Sequence, residues 1–275
     1  MRKILASLIL ALICHASFGQ AGSLDPSFGD NGIVRNNFVL SNTSGNTCRQ
    51  ILLHPDGSFY LVFDMNGQTF VTHRLANGTV DAGYGENGYS VPVRMTGPSA
   101  EMQPDGKIVA GGTVIVNGGK DFVVARFNTN GSLDNSFSGD GIQLLDFATR
   151  DDVMSSLVLQ PDDKIVTAGS TMATTGYSDF ALARFNTDGS PDNSFSGDAR
   201  VITELTGNAI VDVGLQNNGR IIGVGVTHNA GSSMTVVCYT PDGNLDNTFG
   251  TGGKKNISNC ESKTILVQPD NKILV

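Results

Sequence analysis

The feature that most constrains the fold of this 275-residue chain is a seven-residue phrase that occurs five times. Each copy begins with glycine, carries aspartate at its fourth position and ends in an aromatic residue. The leading glycines are 53 to 58 residues apart, and self-similarity at a nearly fixed period is typical of repeat architectures. The five copies are Gly22–Phe28, Gly78–Tyr84, Gly131–Phe137, Gly189–Phe195 and Gly243–Phe249.

One repeat carries the pattern of four short strands, predicted at residues 156–160, 164–170, 179–185 and 201–205. A tight turn, whose last position favours glycine, aspartate or asparagine, separates the first two strands. Four antiparallel strands in about 55 residues make one β-propeller blade. The sequence therefore predicts an all-β fold, a β-propeller of four-stranded antiparallel blades. A β-solenoid is the weaker alternative because it usually has a shorter period.

The N-terminus predicts a secretory signal peptide over residues 1–19. Arg2 and Lys3 precede an uncharged apolar run from Ile4 to Ile13, and small residues follow up to Gly19, near which we expect cleavage. The apolar run is too short to span a bilayer. These features predict an exported protein, secreted or at the cell surface.

The predicted repeat domain covers residues 20–275, with four full repeats and a partial repeat at each end. A lipoprotein anchor at Cys14 is an alternative to simple cleavage, but Ile13 stands where such anchors usually have a small residue. Because the sequence stops at Val275, within a predicted second strand, we expect an incomplete propeller and a fragmentary chain.

The charge and the histidines exclude several classes of function. The net charge is −8, and loss of Arg2 and Lys3 with the leader makes it −10, so we expect no nucleic-acid partner. The mature histidines, His54, His73 and His228, lack metal-site spacing. We therefore predict no metal centre, no cofactor and no membrane span, and we assign no catalytic residue.

The repeat resembles the delta-sixty repeat family. The resemblance rests on Leu159–Ile165, Asp179–Asn186 and Gly131–Gly141, and extends over nearly all of residues 22–275. It implies a bacterial exported protein with a β-propeller-like fold. It implies no activity, because the family has none that could be transferred residue by residue.

The recurring aspartates are predicted to be structural residues that cap turns by accepting main-chain N–H bonds. Their recurrence in every copy favours this role over a single functional site. Cation binding by Asp188, Asp192 and Asp198 is the alternative. The five aspartates are Asp25, Asp81, Asp134, Asp192 and Asp246.

Two arginines at the ends of third strands are predicted partners of these aspartates. Arg126 and Arg184 could form bidentate pairs with Asp134 and Asp192, or lie at solvent-facing strand ends. The aromatic residue that ends each copy of the motif is predicted to pack in the apolar core, and the alternative is that it stacks on a bound sugar.

Three cysteines remain after the predicted cleavage, and the export signal permits one disulfide. Cys48 and Cys260 each lie just upstream of a Pro-Asp turn, in equivalent linker regions of different repeats, and form the possible disulfide. The alternative is that both, together with Cys238, are unpaired buried thiols.

Three functions are compatible with these patterns. The first is a non-enzymatic scaffold that binds a protein or a glycan through the loops at 64–69, 114–120, 171–178 and 227–234. The second is a glycan hydrolase or lyase, which requires a polar cluster contributed by several repeats near the axis. The third is a structural repeat protein stabilised by calcium. Acids that break the repeat pattern, and could serve an enzyme, are Glu101, Asp151, Asp152, Glu204 and Glu261.

Overall fold

The computed structural model describes two units of the chain, Met1–Phe38 and Val39–Val275. In the first unit the described residues form turns, with one bridge between Asp30 and Ile33. The predicted signal peptide at 1–19, including Cys14, lies outside the described residues. Those residues are 23–34, 47–147, 151–172, 177–205, 208–227 and 233–275.

The second unit is built from antiparallel strands, one sheet for each repeat. Strands follow one another within each sheet in chain order, giving a three-stranded sheet (β1–β3), three four-stranded sheets (β4–β7, β8–β11 and β12–β15) and a two-stranded sheet (β16 and β17). The described residues thus confirm the all-β prediction of four-stranded antiparallel blades. The strands are β1 (Thr47–Leu53), β2 (Phe59–Met65), β3 (Gln68–Arg74), β4 (Thr96–Met102), β5 (Ile108–Val116), β6 (Gly119–Phe127), β7 (Ile142–Leu145), β8 (Asp152–Leu159), β9 (Ile165–Met172), β10 (Ser178–Phe185), β11 (Arg200–Thr203), β12 (Asn208–Leu215), β13 (Ile221–Thr227), β14 (Ser233–Tyr239), β15 (Lys254–Ser258), β16 (Leu266–Val267) and β17 (Ile273–Leu274).

The first strand of the third sheet is longer than predicted. It begins at Asp152 rather than Ser156, because a β-bulge at Ser155 lets pairing with β9 continue beyond the irregularity. The first turn of each repeat follows the prediction, since its last residue has positive φ in every copy: Gly57, Gly106, Asp163, Gly219 and Asn271.

The apolar core lies between adjacent sheets. One cluster joins residues of β1–β3 to residues of β4–β6, and the next joins β5 and β6 to β8–β10. The side chain of Phe137 is fully buried, and its ring packs against the main chain of Gly189 in the following repeat. Phe195 packs in the same way against Gly243. Full burial of one such ring stabilises the fold by about 1.5–3 kcal/mol.

No helix with the length and apolar character needed to cross a membrane occurs in the part of the chain that the structure describes.

Candidate functional site

The first strands of four successive sheets carry a β-bulge at the same position. The inserted residues are Arg49 in β1, Gly97 with Pro98 in β4, Ser155 in β8 and Val211 in β12. A bulge bends its strand and turns nearby side chains away from the regular alternation. Four equivalent distortions therefore present side chains of different repeats to one place.

The residue after each bulge is polar and contacts the next repeat. In β1, Gln50 accepts a hydrogen bond through Oε1 from the main-chain N–H of Ala100, at 2.8 Å. In β4, Ser99 Oγ accepts one from the N–H of Leu157, at 3.2 Å. These side chains therefore link neighbouring sheets along their first strands.

The same link continues from the third sheet onward through a carboxylate. Ser156 Oγ donates to Asp212 Oδ1 at 2.7 Å. Asp212 Oδ2 accepts from Thr264 Oγ1 at 2.8 Å and from the N–H of Ile265 at 2.9 Å. Both carboxylate oxygens of Asp212 are thus engaged by protein donors.

These first strands line a polar cleft of about 450 Å³. Its walls carry two cationic side chains, Arg49 and Lys263, and two carboxylates, Glu101 and Asp212. Arg49 is held by an ion pair from Nε to Asp64 Oδ2, at 2.9 Å. The volume is within the range of small-molecule sites, although the lining is more polar than is usual for them.

Glu101 is the unusual residue of this cleft. Burial, followed by the nearby charge of Asp212, raises the pKa of its carboxyl group. The equivalent positions of the other first strands hold Leu52, Val158 and Gly214. The broken repeat pattern singled out Glu101 in the sequence. Its position in the cleft depends on the bulge three residues earlier, which the sequence did not reveal.

The other acids that break the repeat pattern do not line this cleft. Glu204 and Glu261 are exposed, and Asp151 Oδ1 accepts a hydrogen bond from the N–H of Lys120, at 3.2 Å. Asp152 is buried at the start of β8. Of the five candidate acids, the structure therefore brings only Glu101 into the cleft.

Two of the predicted variable loops lie around a second cavity of about 410 Å³. It is lined by residues 66–68 of the β2–β3 hairpin and by 113–115 of β5, with 94–96 between them. The other two loops, 171–178 and 227–234, lie partly outside the described residues.

The recurring aspartates lie in turns, and Asp134, Asp192 and Asp246 lie between the third and fourth strands of their sheets. Asp134 Oδ1 accepts from the N–H of Ser136 at 3.0 Å and from its hydroxyl at 2.7 Å. Asp134 Oδ2 receives Arg126 Nε at 2.7 Å and Lys107 Nζ at 3.0 Å. Burial works to raise the pKa of Asp134, but the hydrogen bonds from Ser136 and Lys107 and the Arg126 charge hold it far below its ordinary value.

Asp192 has the same surroundings one repeat later. Its Oδ1 accepts from the N–H of Ser194 at 3.0 Å, and its Oδ2 receives Arg184 Nε at 2.7 Å and Lys164 Nζ at 3.0 Å. Burial again opposes the shift, but these donors hold the pKa of Asp192 well below its usual range.

The predicted bidentate arginine pairs are wrong in their geometry. Only Nε of Arg126 contacts Asp134, while Nη1 donates to the carbonyl oxygen of Thr187 in the next repeat and Nη2 to Ser136 Oγ. The guanidinium also lies 4.8 Å from the centre of the Phe137 ring. The group is shared between two repeats, so it cannot turn both ends of its fork toward one carboxylate.

The remaining three turn aspartates keep the main-chain contact, but their other side-chain contacts differ. Asp25 Oδ1 accepts from the N–H of Ser27, Asp81 Oδ1 from that of Gly83, and Asp246 Oδ1 from that of Thr248, each at 2.9 Å. Asp81 Oδ2 contacts His73 Nδ1 at 2.9 Å, whereas Asp246 Oδ2 pairs with Arg220 Nε at 2.7 Å.

The alternative cation site at Asp188, Asp192 and Asp198 is not brought together by the fold. Asp188 Oδ1 accepts from the N–H of Ser190 at 2.9 Å, and Asp198 Oδ1 from that of Arg200 at 3.1 Å. Within the described ranges, the acidic group with metal-ligand spacing is a different one, formed by Asp121, Asp146 and Asp152.

Cys48, Cys238 and Cys260 are free thiols, so no disulfide joins Cys48 to Cys260 in this structure. Cys48 is exposed in β1, Cys260 is half-buried, and only Cys238 is buried. Burial, followed by the charge of Asp246, raises the pKa of Cys238 to about 11.

Three segments of the chain match a family model described as a domain of unknown function (DUF5122) beta-propeller. They are residues 103–137, 160–195 and 216–249. Each begins at the glutamine before the first turn and ends at the aromatic residue of the phrase. A search of curated proteins found no match.

Several solved structures are similar in fold. Endo-arabinase from Bacteroides thetaiotaomicron has 11% identity and a TM-score of 0.50, with 82% of this chain and 87% of that chain covered. A polysaccharide lyase of family PL25, an ulvan lyase, has 12% identity and a TM-score of 0.46, covering 78% of this chain and 56% of its own. Drosophila Semaphorin 2a has 10% identity and a TM-score of 0.46, with 78% and 42% covered.

At such low identity the similarity to the endo-arabinase shows the fold alone. The TM-scores of the ulvan lyase and of Semaphorin 2a are lower, and these two similarities carry no further argument. The family match supports a propeller-repeat family, while the narrower delta-sixty name stays a prediction. With one four-stranded sheet for each matched segment, the chain is a β-propeller repeat protein.

Proposed function

We propose that this protein is an exported binding scaffold that holds an oligosaccharide in the polar cleft between its first strands. The observation that carries the proposal is the construction of the cleft. Four successive sheets place a bulge at the same position, and together they line one cavity of about 450 Å³. A repeat scaffold gains a specific site where positions that are equivalent in the fold differ in chemistry.

The chemistry of the lining favours a hydroxyl-rich ligand. Ser155, Glu101 and Lys263 supply side-chain donors and acceptors beside the cleft. None of the residues that line the cleft is aromatic, so recognition would depend on hydrogen bonds and charge and not on ring stacking. Phe137 and Phe195, two of the aromatic residues that end the repeated motif, are fully buried, so neither can stack on a bound sugar.

The test is binding of the mature chain to a panel of neutral and uronate-containing oligosaccharides, measured by calorimetry. We expect Glu101→Gln and Lys263→Ala to weaken binding at least about tenfold, since each removes a polar group from the lining. Glu204→Gln, an exposed acid outside the cleft, is the matched control and should bind like the wild type. Equal affinity in all four proteins would disprove the cleft as the site.

A hydrolase or lyase is the second candidate, and one observation favours it. Two carboxylates share the cleft, and the one with a raised pKa, Glu101, has the character of a general acid. Against this role, both oxygens of Asp212 are occupied by Ser156, Thr264 and Ile265. Release of reducing ends or unsaturated products that is lost in Glu101→Gln would establish the enzyme; binding without turnover favours the scaffold.

A further inference from the structure

Three aspartates meet where one sheet is followed by the next. Asp121 lies in β6, Asp146 directly follows β7, and Asp152 begins β8. One carboxylate oxygen from each lies within 4.8 Å of the others. Three carboxylates in so small a volume repel one another unless a positive charge or a proton compensates for them.

The buried member of this cluster, Asp152, has one carboxylate oxygen without a hydrogen bond of normal geometry to the described residues. Asp152 is fully buried, and although its Oδ2 accepts from the N–H of Phe147 at 2.7 Å, its Oδ1 makes no hydrogen bond of normal geometry in the described part of the chain. Thr171 lies directly opposite on β9 and is also fully buried. Its hydroxyl lies close enough to the Asp152 carboxylate to lower the pKa of that group, but Oγ1 makes no hydrogen bond of normal geometry within the described residues. Unpaired polar atoms of this kind cost folding free energy, and an unpaired charge costs more.

The electrostatics agree with the geometry. Burial is the largest influence on Asp152, and the pKa of its carboxyl group is raised to about 6. The charges of Asp146 and Asp121 also raise this pKa, whereas the nearby Thr171 hydroxyl and the hydrogen bond from the Phe147 N–H lower it. A cation between the three carboxylates would remove the repulsion and would also fill the empty coordination of Asp152 Oδ1.

We propose that Asp121, Asp146 and Asp152 bind a calcium ion, with Thr171 Oγ1 as a neutral oxygen ligand. The donors are all oxygens, which hard divalent cations prefer to the nitrogen and sulfur ligands of softer metals. Oxygens that all lie within 4.8 Å of one another can reach one ion together, and calcium, unlike magnesium, is commonly held in flexible sites by several protein carboxylates.

The bound ion would fasten β6 and β7 to the first strand of the next sheet. In the following repeat a main-chain donor reaches the equivalent aspartate. Asp179 occupies the position of Asp121, and its Oδ1 accepts from the N–H of Leu205 at 2.9 Å. Asp179 is therefore a matched control, an aspartate of equivalent position that belongs to no acidic group of metal-ligand spacing within the described residues.

The experiment is calcium titration of the chelator-stripped full chain by calorimetry, with thermal unfolding in parallel. We expect one Ca²⁺ per chain and a higher Tm in its presence. Asp152→Asn and Asp121→Asn should each weaken calcium binding at least about tenfold, because each removes a charged ligand. Asp179→Asn should bind calcium within about twofold of the wild type.

Three results would overturn the assignment. The first is absence of binding at about 5 mM Ca²⁺, a concentration that exceeds the dissociation constants of weak extracellular calcium modules. The second is unchanged calcium affinity in the Asp152→Asn and Asp121→Asn variants. The third is tighter binding of Mg²⁺ than of Ca²⁺. If Asp152→Asn does not fold, the half-buried Asp121→Asn decides the question on the same criteria.

Discussion

Arg184 donates a hydrogen bond from Nη1 to the main-chain carbonyl oxygen of Pro241, which belongs to the next repeat, at 2.7 Å. Its Nε meanwhile holds Asp192 in its own repeat. Arg126 makes the corresponding contacts to Thr187 and Asp134 one repeat earlier. One buried guanidinium thus fixes a turn and attaches that turn to its neighbour.

Removing this guanidinium should destabilise the protein strongly. We expect Arg184→Met to lower the free energy of unfolding by about 3–5 kcal/mol, because Asp192 and the Pro241 carbonyl lose a buried donor. Lys164→Met, which removes the more exposed cation from the same carboxylate, should cost only about 1 kcal/mol. Denaturant unfolding of the two variants measures the difference, and equal losses would contradict the role given to Arg184.

The turn aspartates predict a loss of stability in acid. The pKa of Asp192 is lower in the folded state than in the unfolded state, so its ionised form stabilises the fold above about pH 4. This stabilisation is lost as the pH falls from about 4 toward the folded-state pKa. Asp192→Asn should therefore lose about 2–4 kcal/mol at pH 7 and much less near pH 2.

Chemical denaturation at a series of pH values between 2 and 7 checks this dependence. Asp198→Asn, at an exposed turn position, is the control and should keep the pH profile of the wild type. A profile for Asp192→Asn that runs parallel to the wild type would show that Asp192 is not a source of the acid sensitivity.

The contact between Phe137 and the next repeat can be tested with two glycines. An added Cβ at Gly189, where φ is +86°, would lie 2.9 Å from Phe137 ring atoms, whereas at Gly197, where φ is +97°, it would meet nothing within 4 Å. Gly197→Ala should therefore cost about 1–2 kcal/mol from backbone strain alone. Gly189→Ala should cost about 1–3 kcal/mol more, measured by thermal unfolding. Equal costs would mean that the ring moves aside freely.

The cysteines should differ in reactivity. Cys48 is exposed, whereas Cys238 is buried and its pKa is raised to about 11, so its thiolate is scarce at neutral pH. We expect iodoacetamide to modify Cys48 in the native protein and Cys238 only after unfolding, as followed by peptide mass spectrometry. Rapid native labelling of Cys238 would contradict its burial. Non-reducing peptide maps would also reveal a disulfide between Cys48 and Cys260.

The repeated phrase was sufficient to predict most of the fold. The period of the motif predicts one sheet for each repeat. The hairpins could be predicted from Gly57 and Asp163, because few residue types adopt positive φ without strain. The pairing of Arg126 with Asp134 was also predictable from the constant separation of eight residues. The contact between Arg126 and the carbonyl oxygen of Thr187 could not be predicted in this way. Every residue has a main-chain carbonyl, so the sequence does not indicate which one accepts the hydrogen bond.

The cleft was harder to predict than the fold. Gln50, Ser99, Ser156 and Asp212 occupy one position in four repeats, yet they share only polarity, and a polar residue in a strand is ordinary. The bulge before each of them has no sequence signature, since the inserted residues differ in size and charge. Among the residues of the cleft, Glu101 alone could be singled out from the sequence, because it is an acid at a position where the other repeats have apolar residues or glycine.

Some joints between neighbouring repeats are hydrogen bonds from a side chain to a main-chain atom: Arg184 donates to a carbonyl, and Gln50 accepts from an amide. Such a joint does not specify the amino acid on its far side. A newly duplicated unit could therefore keep these hydrogen bonds to its neighbours without matching substitutions at the main-chain side, which lets the loops of each unit diverge independently of them.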